Sequence, residues 1–355
     1  MVTTTAHPQP AAAGAHRTLC GGIPLLAELR PGTATGVGSL PHRSVTDAVR
    51  FALTEYDVPA IPSLPRRCPA EGMIAQAVVG INGVTAGQYG SIAVDPAAVD
   101  PFAPVITDIA TDSFSGLRRF LDHAVALGLE GPVKWQFVGP VTLGVALARA
   151  GLPDDVAFAV AVRAVRSHVV SLAMAVAAAL PRSPQIVVID EPWFGELFNP
   201  GFPIAPDPAI DLLSGAMASV SGVATVGVHC CGDADVASLL AAGPDILSIP
   251  ARPSVVAAAG YLGRFLEDGG RIAWGVVATD CPMFVSPDRQ WRDLSDLWAE
   301  LGKRGIDAAL IGRRSIVTAH CGLGSHTPAV AERVCRAVRE IGRRIAARSC
   351  DDRHP

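Results

Sequence analysis

The sequence predicts an α/β fold closed as a single TIM (β/α)8 barrel. Short β-branched or apolar runs alternate with longer Ala-rich segments of helical period from Thr33 onward, the pattern of strand-helix units in a parallel sheet. Eight such runs can be counted, over residues 33–38, 58–62, 133–138, 185–190, 224–229, 245–249, 271–277 and 315–319, and that number favours a closed barrel over an open sheet. The chain has 355 residues, 50% of them hydrophobic and 17% charged, enough to fill one large core.

Helical segments fall between most of the strands, over 44–55, 114–127, 154–180, 208–220, 234–241, 255–268 and 289–304, and a last helix over 328–348 is expected to seal the barrel. One interval is too long for a connection. Residues 63–113 carry Pro, Gly and Asp punctuation with a hairpin signal around 81–94, and read as an insertion between the second and third strands that lies over one rim. Residues 1–30 are expected to form a flexible tail, and 349–355 a loose end.

Bulk charge excludes a nucleic-acid partner: the formal net charge is −4 and Lys and Arg are scattered apart from pairs such as Arg66-Arg67 and Arg343-Arg344. The apolar stretch 156–180 reads as a buried helix and not a membrane span, because Arg163, Arg166 and His168 interrupt it. The first twenty residues lack a basic region followed by an apolar core, so a cytoplasmic protein is expected. Eight cysteines over this length do not make a disulfide framework; in a reducing compartment a Cys pair points to metal or catalysis.

His229-Cys230-Cys231 ends the fifth expected strand and Cys321-Gly322 the eighth, at the rim where barrel enzymes hold their active sites. One imidazole and two thiolates suit zinc, and a His-x-Cys spacing in extended chain turns His229 and Cys231 to one side and Cys230 to the other. Three protein ligands leave a fourth position open, as a catalytic site requires. A Cys pair at a strand end is equally read as small apolar packing.

Thr35-Gly36-Val37-Gly38-Ser39-Leu40-Pro41-His42, Gly139-Pro140-Val141-Thr142, Asp190-Glu191-Pro192, His229 to Cys231 and Cys321-Gly322-Leu323 resemble, in the same order, the catalytic barrel of cobalamin-independent methionine synthase. The resemblance runs from about Thr33 to Arg344 and covers only the catalytic half of the two-barrel version. It implies zinc on His229, Cys231 and Cys321, a substrate thiol bound to that zinc, and methyl transfer to homocysteine from methyltetrahydrofolate. It implies also that Ser39 and Asp190 hold the amino-acid substrate, Asp190 through its ammonium group, with Glu191 beside it. Each has a plainer reading: Ser39 as a cap for the helix near Ser44, Asp190 and Glu191 as structural hydrogen-bonding groups, and the Gly-Pro-Val-Thr run as a tight turn.

The sequence departs from that family twice. The glutamate that usually completes the zinc site is missing where the chain reads Ser248-Ile249-Pro250-Ala251, leaving Asp233, Asp280, Cys281 or water to stand in. The proton-handling His after the seventh strand is replaced by Ala278-Thr279-Asp280-Cys281-Pro282, where Asp280 is the candidate acid or base or else an exposed carboxylate. Leu64-Pro65-Arg66-Arg67 and Trp274-Gly275-Val276-Val277 are more similar to an uncharacterised side branch of methionine-synthase-like proteins, with Arg66 a candidate grip on a substrate carboxylate or phosphate, or a solvated surface charge. The partners expected are a small thiol and a methyl donor, with a second copy of the chain or a corrinoid protein as further candidates. The alternative readings are a corrinoid or coenzyme M-type methyltransferase, a uroporphyrinogen decarboxylase-like enzyme that needs no metal, and a catalytically retired barrel that binds zinc or a ligand.

Overall fold

The structure is a computed structural model that describes residues 25–87, 90–280 and 285–351. Its strands are β1 (Thr33–Ala34), β2 (Val84–Ala86), β3 (Ile92–Val94), β4 (Val133–Val138), β5 (Gln185–Asp190), β6 (Thr225–His229), β7 (Ile246–Pro250), β8 (Arg271–Val277) and β9 (Ser315–Ala319). Its α-helices are α1 (Leu25–Glu28), α2 (Val45–Thr54), α3 (Met73–Ala77), α4 (Ser115–Ala126), α5 (Pro140–Arg149), α6 (Asp154–Ala179), α7 (Pro206–Ala218), α8 (Val236–Ala241), α9 (Ala259–Glu267), α10 (Pro287–Lys303), α11 (Ala308–Arg313) and α12 (Pro328–Asp351).

This is an α/β fold on a curled parallel sheet of seven strands, ordered β1-β9-β8-β7-β6-β5-β4. The residues of β5, β6 and β7 are buried on both faces, which is why they read as continuous apolar runs without alternation. Both edges of the sheet meet residues 58–63: isolated parallel bridges join Thr35 to Val58 and Ser39 to Ser63 on one side and Ala60 to Lys134 on the other. The expected second strand is thus a lacing and not a ladder. Pro59 and Pro62 have no N–H to give, and the bonds that remain include those from Ile61 N to Lys134 O (2.8 Å), from Lys134 N to Pro59 O (2.9 Å), from Val58 N to Ala34 O (3.2 Å) and from Leu40 N to Ser63 O (2.9 Å).

Inside the ring, Ile186, Val188, Ile246, Ala273 and Ile316 pack together, and Leu25 and Leu29 plug the end formed by the strand N-termini. The Arg271 guanidinium holds that plug through the Leu29 carbonyl at 2.7 Å. Residues 25–30 therefore belong to the folded body and not to the expected tail, because two leucines there find an apolar floor to cover. At the other end α12 continues past 348 to Asp351, with Ser349 buried.

α6 is long and apolar enough by composition to cross a membrane, yet its Ala157, Ala161, Val165 and Val169 face is fully buried in the core. Its other side is sewn to the 63–113 segment: Arg163 bonds the Pro101 carbonyl (2.9 Å), Ser167 the Val105 carbonyl (2.5 Å), and buried His168 bridges Thr107 Oγ1 (2.9 Å) and the Ala77 carbonyl (3.1 Å). Within that segment β2 and β3 pair as an antiparallel hairpin.

Candidate metal centre

The parallel register brings three strand ends level: Val138 pairs with Asp190, Asp190 with His229 and His229 with Ser248. His229 is buried, its Nδ1 is 2.9 Å from Ser248 Oγ, and its Nε2 has no partner. Two residues on, Cys231 returns to the same side. Cys230, between them, turns outward against the Pro192 carbonyl, where burial pushes its thiol up to about 12 and keeps it a neutral packing group.

Cys321 comes from the turn after β9, held by Ser39. The Ser39 carbonyl accepts from Leu323 N (2.8 Å) and its hydroxyl from Gly324 N (3.2 Å). A Cβ on Gly322 would lie 2.1 Å from that hydroxyl, so only glycine lets the turn close on Ser39. The ligand atoms of His229, Cys231 and Cys321 then lie within 4.8 Å of one another, as the sequence spacing anticipated. The Cys231 thiol is drawn well below its ordinary range by the Cys321 thiol and the His229 imidazole beside it, against the opposing effect of burial. Cys321 is driven up by the neighbouring Cys231 and by burial.

These groups open into a cavity of about 400 Å³, lined among others by Ser39, Gln136 and Asp190 and by Glu71, Met73 and Gln76 of the 63–113 segment. Asp190 is 9% exposed, its Oδ1 has no partner, and burial raises its carboxyl to about 6 while His229 and Lys134 pull it back. Below it, Lys134 is buried within the ring, donating to the Val37 carbonyl and to Gln136 Oε1 (3.0 Å); burial lowers its ammonium to about 8 and Asp190 supports it. Lys134, Gln136 and Ser248 escape a reading by motif; a lysine and a glutamine two apart in an otherwise apolar strand were the available signal.

Three expected site residues stand elsewhere. Glu191 turns away from the cavity and is fully buried, with Oε1 accepting from Val141 N (2.9 Å) and Oε2 from Thr142 N (2.7 Å). It caps α5, and Gly139 is a glycine because a Cβ there would lie 2.0 Å from that carboxylate. The Gly-Pro-Val-Thr run and Glu191 are thus one interlock, and the pleat that points Asp190 inward sends Glu191 out. Arg66 is exposed and its guanidinium crosses the rim to the His326 carbonyl, as a strap and not a wall of the cavity. Asp280 is exposed beyond the end of β8 and faces His320, not the cavity; burial and Arg252 hold His320 down at about 4. The helix-capping alternative for Ser39 is filled by Ser44, whose hydroxyl accepts from Asp47 N at 3.2 Å.

Among solved structures, the chain is similar to a B12-independent methionine synthase from Shewanella sp. W3-18-1 determined in complex with selenomethionine. The TM-score is 0.60 and the identity 16%, over 91% of this chain and 100% of that one. That likeness carries the α/β fold. No protein-family model and no curated protein matches the chain.

The donor set suits a zinc ion on its own chemistry. An imidazole nitrogen is buried without a partner, fixed in direction by a hydroxyl on the other ring nitrogen, and lies within 4.8 Å of two cysteine sulfurs. Where a completing carboxylate was sought, Ser248 instead sits behind His229. Asp233 accepts from Ser254 Oγ (2.8 Å) away from the cavity, and Cys281 lies outside the described residues.

Proposed function

We propose that the protein is a zinc-dependent methyltransferase acting on a thiol, with homocysteine as acceptor and a methyltetrahydrofolate-type donor, built on a TIM (β/α)8 barrel with residues 63–113 inserted over its mouth. The observation that carries the reading is the convergence of His229, Cys231 and Cys321 beside an unpaired, buried Asp190. The fold shared with a B12-independent methionine synthase supports it.

His229, Cys231 and Cys321 would hold the ion. Bound there, zinc would lower the pKa of an incoming thiol from about 8.5, so that its sulfur is a thiolate at neutral pH. Ser248 keeps the imidazole aimed at the two sulfurs, so the donors are arranged before the ion arrives. Asp190, the register partner of His229 on the adjacent strand, accepts from the substrate ammonium and fixes where its sulfur lies. In the transfer a sulfur lone pair forms the new S–CH3 bond as the donor's N–CH3 bond breaks, and the pair left on nitrogen takes a proton. The 63–113 segment, through Met73 and Gln76, keeps water from the approach.

The test is metal analysis and turnover together. Wild-type protein is expected to retain zinc and to methylate homocysteine with methyltetrahydrofolate; Cys321→Ser is expected to lose zinc several-fold and turnover about 100-fold. Unchanged metal content in Cys321→Ser overturns the ligand assignment. Turnover with methylcobalamin alone moves the reading to corrinoid-linked transfer, and a full zinc load without turnover moves it to a binding protein.

A further inference from the structure

β4 points Lys134 and Gln136 to the same side of the sheet, into the ring, with Gln136 one layer nearer the mouth. Lys134 is 4% exposed, and its ammonium has donors only. It gives one to the Val37 carbonyl and one to Gln136 Oε1 at 3.0 Å. That contact settles which way the amide faces: the oxygen lies toward Lys134 and the NH2 toward the other end. The amide lies flat on Gly38, at φ +152°, where a Cβ would come within 1.8 Å of Nε2. Gln136 Nε2 has no acceptor among the described residues, while Gln136 lines the same cavity as Asp190, Cys231 and Cys321.

Elsewhere this cavity offers acidic groups, Asp190, the two cysteines and Glu71, the last ion-paired to Arg67. A buried cation behind an amide polarises it, so its N–H carries part of the lysine's charge into the cavity without a mobile ammonium there. An oxygen anion fits that donor, and Asp190 on the neighbouring strand fits an ammonium. The two line one cavity from neighbouring strands, two residues apart in register, an arrangement that suits the two charges of one small zwitterion.

We infer that Gln136, oriented by Lys134, is a specificity-determining residue that receives the substrate's carboxylate while Asp190 receives its ammonium. The inference rests on the proposed function only in taking the ligand to be an amino acid bearing sulfur; it does not need the metal.

Titration calorimetry on the full chain tests it with three probes: methionine, methionine's decarboxylated amine, and its deaminated acid. Gln136→Met, close in volume, is expected to weaken methionine and the acid about tenfold and to leave the amine unchanged. Asp190→Asn is expected to weaken methionine and the amine and to spare the acid. Lys134→Met reproduces the Gln136→Met pattern at smaller size, with circular dichroism reporting that it folds. Equal weakening of all three probes in Gln136→Met, or none, overturns the assignment. If the wild type binds methionine but Cys321→Ser keeps its zinc, the metal reading alone falls; if the wild type binds none of the probes, both fall.

Discussion

His168 and His229 are both buried histidines, one in the seam between α6 and the 63–113 segment and the other at the mouth, and they differ in a single atom. His168 engages both ring nitrogens, on Thr107 and on the Ala77 carbonyl, while His229 engages Nδ1 on Ser248 and leaves Nε2 bare. The neighbours Glu191 and Asp190 repeat the contrast, the first with both oxygens bonded and the second with Oδ1 orphaned. A buried polar atom left unpaired costs about 1–3 kcal/mol. The polar atoms of the seam are met by the chain alone, while the mouth leaves His229 Nε2 and Asp190 Oδ1 open beside the cavity.

The largest test of that division is Glu191→Ala. It strands the buried N–H groups of Val141 and Thr142 and is expected to cost about 4 kcal/mol in denaturant unfolding, with ligand and zinc binding unchanged in the protein that remains folded. A stable variant that loses its ligand would move Glu191 from the finished side to the open one. Next comes the seam itself. The folded imidazole of His168 is lowered by burial from 6.5 to about 4. Between those values the unfolded chain takes up a proton that the folded one refuses, so stability falls as pH falls through the window, by up to about 3 kcal/mol. His168→Gln is expected to lessen the slope of urea midpoints between pH 6.5 and pH 4, the remainder coming from His320, and a slope equal to the wild type's would show that this histidine is not a group that titrates there. The smallest effect is that of Ser248→Ala, which frees the imidazole of His229 to rotate; zinc affinity is expected to fall about tenfold with thermal stability unaltered. Equal affinity would mean that His229 is aimed by its packing alone.

Much of this was legible in the chain. The spans over 133–138, 185–190, 271–277 and 315–319 coincide with β4, β5, β8 and β9, because a doubly buried strand bounded by turn residues leaves a strong signal. α5 was not legible: buried from Pro140 to Val145 and at Leu147, it has no polar face to betray a helical period, and its opening Gly-Pro reads as a turn. Residues 58–62 looked like a strand for their apolar side chains, while the prolines among them decided the bonding. The convergence of His229, Cys231 and Cys321 followed from strand ends and spacing. The Lys134–Gln136 contact and the serine behind His229 did not, since each depends on register and layer, which no single segment encodes. Asp190 and Glu191 could have been separated from the outset by strand alternation, which sends neighbours to opposite faces.

The lacing at Pro59 and Pro62 divides the ring into unequal staves. The donors to the proposed ion follow β6 and β9, which belong to one run of parallel ladders with a single register shift, between Gly275 and Val277, so their spacing is inherited from hydrogen-bonded strands. The cavity wall that includes Met73 and Gln76 follows instead the stave joined by isolated bridges. Regular ladders and isolated bridges thus divide the work of one wall, the first spacing the donors and the second carrying the chain that faces them.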